Sequence, residues 1–156
     1  MARAMRCPAC RTHSLVERRV ENRNVALDLC PDCKGIWFDA GELAALLPVA
    51  ARRLCVPRDA APSDRACPRC SSPLRAFHYP GTQVTVDLCG KCGGLWLDAG
   101  EAAAIRAARQ TRAQARTSPR RSGGAAASAG GVTTHDWVDV TLDVLGYVLE
   151  ALLSGL

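Results

Sequence analysis

"CPDCKGIWFDAGE", residues 30–42, and "CGKCGGLWLDAGE", residues 89–101, state one pattern twice, with both cysteines, the Trp, the Asp, the Gly and the Glu in register. A further C-P-x-C pair stands upstream of each: Cys7/Cys10 and Cys67/Cys70. The upstream pairs align at an offset of 60, whereas Cys30, Cys33, Trp37, Asp39, Gly41 and Glu42 align with their counterparts at 59. One residue is therefore lost between the two pairs, where a hairpin turn would absorb it. The chain is an internal repeat of two units, roughly 7–54 and 67–116.

Each unit reads C-P-x-C, then 19 or 18 residues, then C-x-x-C. That spacing is typical of a four-cysteine zinc site, because a two-residue gap lets a tight turn aim both sulfurs of a pair at one ion. Disulfides, a redox dithiol and a rubredoxin-like iron are the rival uses of such cysteines. The N-terminal "MARAMRCPAC" lacks the apolar run of a secretory signal, so a reducing cytoplasm is the expected setting. A thioredoxin-like dithiol would also need a βαβ context that the sequence does not offer. Composition agrees with two small modules: 48% of residues are hydrophobic but only 4% are aromatic, which does not suggest one large core. A module of about 50 residues buries little apolar surface, and structural zinc, at an apparent ~10–16 kcal/mol, can decide whether it folds.

Between the cysteine pairs, "VALDLC" (25–30) and "VTVDLC" (84–89) alternate as half-buried strands do. Partner strands are expected near 15–20 and 74–79, with turns at "ENRN" and "PGTQ". After the second pair, Asp39 to Glu42 and Asp98 to Glu101 read as capping boxes, with Asp at the N-cap and Glu three residues on. The rival reading makes each Asp/Glu pair a general acid and base. Four cysteines leave zinc no open position, however, and no His, Ser or Thr recurs beside the carboxylates. Trp37 and Trp96 are expected to cover the metal sites and pack on the hairpins rather than to stack on bases. Asp28 and Asp87 recur and call for a backbone N–H or an Arg. His13, aligned with Pro73, together with Cys55 and His78, occurs in one unit only and is set aside as a ligand of a site that both units share.

With C-P-x-C, D-x-C-x-x-C and G-x-W-x-D-x-G-E laid out, each unit resembles the bacterial TFIIB-type zinc-ribbon family, the transcription-factor zinc-finger domain, over about 36 residues. The resemblance implies a ribbon in which Cys7, Cys10, Cys30 and Cys33 bind one zinc and Cys67, Cys70, Cys89 and Cys92 a second. One departure is Lys34, which stands where the second unit has Gly93 and where the family usually has Gly, so the first knuckle is expected to turn slightly differently.

Beyond the capping boxes the units diverge. Leu43, Leu46, Leu47, Ala50 and Leu54 form one helical stripe, with Pro48 expected to break or kink it. The second helix carries Arg106, Arg109, Arg112 and Arg116 within about a 120° arc, a basic ridge that could follow phosphates or simply be solvated. Residues 117–132 read as a flexible linker. In 133–156, Val138, Leu142, Leu145, Leu149, Leu152 and Leu156 oppose Asp136, Asp139, Asp143 and Glu150, which makes an amphipathic helix for a protein partner or self-association. Its acids exclude a membrane span. The whole chain has a net charge of +5, yet the first 132 residues hold 20 bases against 11 acids. Two four-thiolate zinc sites, at −2 each, would offset part of that excess.

The expected architecture is small, metal-bound α+β: a first zinc ribbon and helix (1–54), a linker (55–66), a second ribbon and helix (67–116), the flexible linker and the C-terminal helix. The expected function is that of a cytoplasmic, non-enzymatic adaptor with two structural Zn2+, associated with nucleic acid or transcription. The alternative is a protein scaffold acting through residues 133–156, and an enzyme built on the Asp/Glu pairs ranks last.

Overall fold

The computed structural model describes residues 5–20, 24–46, 48–79, 82–101, 103–105, 107, 111 and 114. In the first half, β1 (Val16–Arg19) and β2 (Ala26–Leu29) form an antiparallel hairpin, with Arg18 opposite Leu27. Val20 closes it by donating its N–H to the carbonyl of Val25 at 2.9 Å. A third strand, β3 (Ile36–Phe38), pairs with β2, and α1 (Ala40–Leu46) and α2 (Pro48–Arg53) follow. The stripe breaks into two helices at the expected place, and Pro48 opens the second, where its missing N–H costs no intrahelical bond.

The second half repeats this plan and adds a strand. β4 (Ala61–Ala66) precedes β5 (Pro73–His78), β6 (Thr85–Leu88) and β7 (Leu95–Leu97), and the described residues from Ala99 to Gln114 are helical. β4 lies within the stretch expected as a linker. It lacks apolar alternation and is largely exposed, and it pairs with β5 as the sheet edge, in a register that shifts between Pro62 and Ala66. An edge position is the one that tolerates Pro62, whose nitrogen has no hydrogen to donate.

The two halves do not sit apart as separate modules. β3 pairs antiparallel with β7, placing Trp37 opposite Trp96, and the result is one seven-stranded sheet in the order β1-β2-β3-β7-β6-β5-β4. Strand registers sort the side chains. Leu27, Leu29, Ile36, Phe38, Val86, Leu88, Leu95 and Leu97 face one side and join Leu43, Leu46 and Ile105 in a single apolar core drawn from both halves. On the opposite face Trp37, Trp96 and Leu74 cluster with Cys7, Cys30, Cys67 and Cys89. The 54/67 boundaries thus separate sequence repeats that share one core. The expected amphipathic helix at 133–156 and the linker at 117–132 lie outside the described residues, as do Arg106, Arg109, Arg112 and Arg116.

Candidate metal centres

Each cysteine pair sits on a tight turn at the root of a hairpin. The residue after the second cysteine of a pair takes a left-handed conformation: Arg11 at φ 58°, Lys34 at 60°, Ser71 at 59° and Gly93 at 71°. Its N–H returns to the carbonyl of the first cysteine in all four turns, at 3.1, 3.1, 2.9 and 2.9 Å. Lys34 therefore follows the same path as Gly93, against the expectation of a different turn. The polar closure of the knuckle outweighs the steric cost of a Cβ in that region.

The turns bring four sulfurs together in each half. Cys7 and Cys33 stand 3.5 Å apart and Cys10 and Cys30 3.6 Å. In the second half Cys67–Cys92 and Cys70–Cys89 are both 3.5 Å apart. All four ligand atoms of each set lie within 4.8 Å of one another. A tetrahedron with Zn–S of about 2.3 Å has edges of about 3.8 Å, and a disulfide would need about 2.05 Å. The sulfurs are therefore unbonded and spaced for a tetrahedral ion, and the donor set fits one structural zinc in each half.

As free thiols the four are not equivalent. Burial pushes Cys7 and Cys67 well above the ordinary thiol range and raises Cys33 and Cys92. Cys70 is lowered to about 6, chiefly by hydrogen bonding to Ser72. For Cys10 burial is the largest influence and works upward, but hydrogen bonds from Cys7, His13 and Cys30 together bring it down to about 6. Zinc must displace protons from the buried sulfurs, which makes its retention fall in acid.

Two stretches of the chain, residues 6–48 and 66–108, match the family model described as Transcription factor zinc-finger, and together they make up more than half of the 156 residues. The chain belongs to this family. Neither a curated protein nor a solved structure matches it.

The signature residues of the two zinc ribbons meet each other. A Cβ on Gly35 would come within 2.2 Å of Trp96 Cζ2, and a Cβ on Gly94 within 2.1 Å of Trp37 Cζ2. Each Trp thus lies over the other ribbon's glycine, diagonal to it across the β3–β7 pair, and both rings are fully buried. The Gly of G-x-W is the receiving surface for a tryptophan from the neighbouring repeat. The expectation that each Trp packs on its own hairpin missed this exchange, because one repeat contains only half of the contact.

The Asp and Glu of D-A-G-E stand at the helix starts. Glu42 Oε2 accepts the N–H of Asp39 at 2.8 Å, and Glu101 Oε2 accepts that of Asp98 at 2.9 Å. Asp98 Oδ1 in turn accepts the N–H of Glu101 at 2.8 Å. Asp39 Oδ1 accepts instead from Trp37 Nε1 at 2.9 Å and from Arg69 Nε at 2.7 Å, and the second prong of the Arg69 fork reaches Asp39 Oδ2. Arg69 belongs to the second ribbon, so this ion pair crosses the joint. Arg65, on β4, donates to the buried Asp87 and, at 3.1 Å, to Asp98. Asp28 has Asp39 and Glu42 within 4.8 Å, and burial followed by Asp39 raises its carboxyl. Burial likewise lifts Glu42 and Glu101 to about 7, with the neighbouring aspartates adding to the shift.

The lost residue lies elsewhere than expected. β1 and β5, like β2 and β6, align at an offset of 59, as Arg18↔Leu27 and Phe77↔Val86 show. The extra residue is in the first knuckle of the first ribbon, where Cys7 N–H reaches the carbonyl of His13; in the second ribbon Cys67 N–H reaches that of Ser72. His13 therefore corresponds to Ser72 rather than to Pro73. Cys55 is exposed between α2 and β4 and lies outside both sulfur sets.

Proposed function

We propose that this protein is a non-enzymatic zinc-ribbon adaptor whose fused double ribbon presents a basic surface to nucleic acid. The observation that carries this reading is the distribution of charge. The acids of the repeated motif are turned inward, onto helix starts and arginines, while most of the described bases stay outside. Among the described residues nine Lys and Arg side chains are exposed, Arg18, Arg19, Arg52, Arg53 and Lys91 among them, against four acids: Glu17, Asp32, Asp59 and Asp64. Such an excess is the electrostatic footprint of a phosphate-binding surface, although two zinc-thiolate centres at −2 each offset four of its five charges. Arg106, Arg109, Arg112 and Arg116 would extend it along the second helix.

The non-enzymatic reading is supported by the employment of Asp39, Glu42, Asp98 and Glu101. Each bonds to a helix start, an indole or an arginine. The expected setting remains the cytoplasm, where eight thiols stay reduced for zinc. Among the described residues no helix is long and apolar enough to cross a membrane.

The test is retention of the zinc-loaded full chain on duplex DNA and on single-stranded RNA across a salt series. Binding should weaken steeply with salt, and the four-Arg-to-Ala variant at positions 106, 109, 112 and 116 should show a shallower slope. Absence of binding at low salt would leave the protein-scaffold reading, in which residues 133–156 grip a partner. A pull-down with and without that segment would then decide it.

A further inference from the structure

The two zinc sites are built alike but rimmed differently. At the first, one ring nitrogen of His13, the sulfur of Cys10 and a carboxylate oxygen of Asp32 all lie within 4.8 Å of one another. The added residue in the first knuckle puts an imidazole at the place that Ser72 fills in the second ribbon. His13 Nδ1 is 2.9 Å from the Thr12 hydroxyl and 3.7 Å from Asp32 Oδ2, and both His13 and Asp32 are exposed. A carboxylate beside one nitrogen of an imidazole orients the ring of a zinc-bound histidine and leaves the other nitrogen to the metal. At the second site the position of Asp32 is taken by Lys91, which can neither orient an imidazole nor attract a cation.

We propose that His13 is a reserve ligand of the first zinc site, able to take the place of Cys10 and hold the metal as a three-cysteine, one-histidine centre. Cys10 is the ligand this exchange would release, because its sulfur lies beside His13 and, like Cys33, it is partly exposed, whereas Cys7 and Cys30 are buried. In the exchange the Zn–S bond to Cys10 breaks, the thiolate leaves with its electron pair, and a neutral imidazole nitrogen donates its lone pair to form the new bond. The centre changes from −2 to −1, and three thiolates with one histidine is an ordinary structural zinc set. The ring is exposed to solvent, and one of its nitrogens already lies within 4.8 Å of the Cys10 sulfur. Among the described residues the second site has no such reserve, since Ser72 and Lys91 replace the histidine and the acid.

The test compares matched variants of the full chain, purified with zinc and counted by native mass spectrometry, with Co2+ replacing zinc for spectroscopy. Cys10→Ser should keep two metals, and its Co2+ spectrum should lose thiolate charge-transfer intensity while the d–d bands move to higher energy, as nitrogen replaces sulfur. Cys10→Ser/His13→Ala and Cys70→Ser should each keep one metal. His13→Ala alone should keep two with the wild-type spectrum, which separates a reserve ligand from a residue needed for folding. Loss of a metal from Cys10→Ser or from His13→Ala alone, or retention of both metals by the double variant or by Cys70→Ser, would overturn the proposal.

Discussion

The first and second ribbons share their cysteines, tryptophans and D-A-G-E segments, and they differ in what surrounds them. Arg65 of the second ribbon, bound to Asp87 and Asp98, aligns with Met5 of the first, and Arg69, bound across the joint to Asp39, aligns with Ala9. The first ribbon has the longer knuckle with His13, and the second has the additional edge strand β4. Residues present twice build each metal site and also the two-fold part of the joint, because identical G-x-W motifs can satisfy one another only across an antiparallel pair. Residues present once make the two ends of that joint unequal. A repeat used as a filter keeps the first kind and discards the second, and the ion pair that crosses between the ribbons is of the second kind.

Perturbing this inequality should give effects of graded size. The largest is expected from Arg65→Ala, which leaves the buried Asp87 without its cation; breaking such a pair costs about 3–5 kcal/mol, readable as lost denaturant stability of the zinc-loaded protein. Removing the first ribbon's more exposed cation Arg11 has no comparable partner to strand. Next come Gly35→Ala and Gly94→Ala, each expected to destabilise by about 1–3 kcal/mol through overpacking. Their NMR signatures should be crossed, with Gly35→Ala shifting the indole resonance of Trp96 and Gly94→Ala that of Trp37. Uncrossed shifts would break the reciprocal joint.

Smaller effects test the carboxylates and the knuckle. Glu42 and Glu101 ionise near 7 when folded and near the ordinary 4.5 when unfolded. Between those values the folded state binds more protons, so these groups favour folding in acid and that contribution is lost as pH rises through about 7. Glu42→Gln and Glu101→Gln keep an oxygen for the aspartate N–H but cannot ionise. Their stability relative to wild type should therefore climb from pH 5 to pH 8, a difference in which zinc-thiolate protonation cancels. Smallest is Lys34→Gly, which gives the first knuckle the residue of the second and should stabilise it by ~1 kcal/mol by relieving a left-handed backbone. Gly93→Lys should do the reverse.

Much of each ribbon was legible because its causes are local. Cysteine spacing, the alternation in "VALDLC" and "VTVDLC", and the Asp-to-Glu interval each act over a few residues, and the sulfur sets, β2, β6 and the helix starts occur where those signals lie. The three-residue strands β3 and β7 were not legible, since Ile-Trp-Phe and Leu-Trp-Leu are apolar on both faces and gain their pairing from each other. β4 escaped because "APSDRA" has no hydrophobic period and is held by backbone pairing with β5 and by Arg65. The position of the extra residue was misread because counting cysteines fixes only the total between them, whereas strand register places the insertion beside His13.

The central claim is that the two ribbons fold as one body through β3 and β7. Hydrogen–deuterium exchange on a Cys67→Ser/Cys89→Ser variant tests it most directly, because that change removes the second metal site and leaves every ligand of the first intact. If the claim holds, peptides covering residues 26–38 of the first ribbon lose protection together with those covering 85–97. Wild-type protection across residues 26–38, with exchange accelerated in the second ribbon alone, would contradict it and return the molecule to two independent modules.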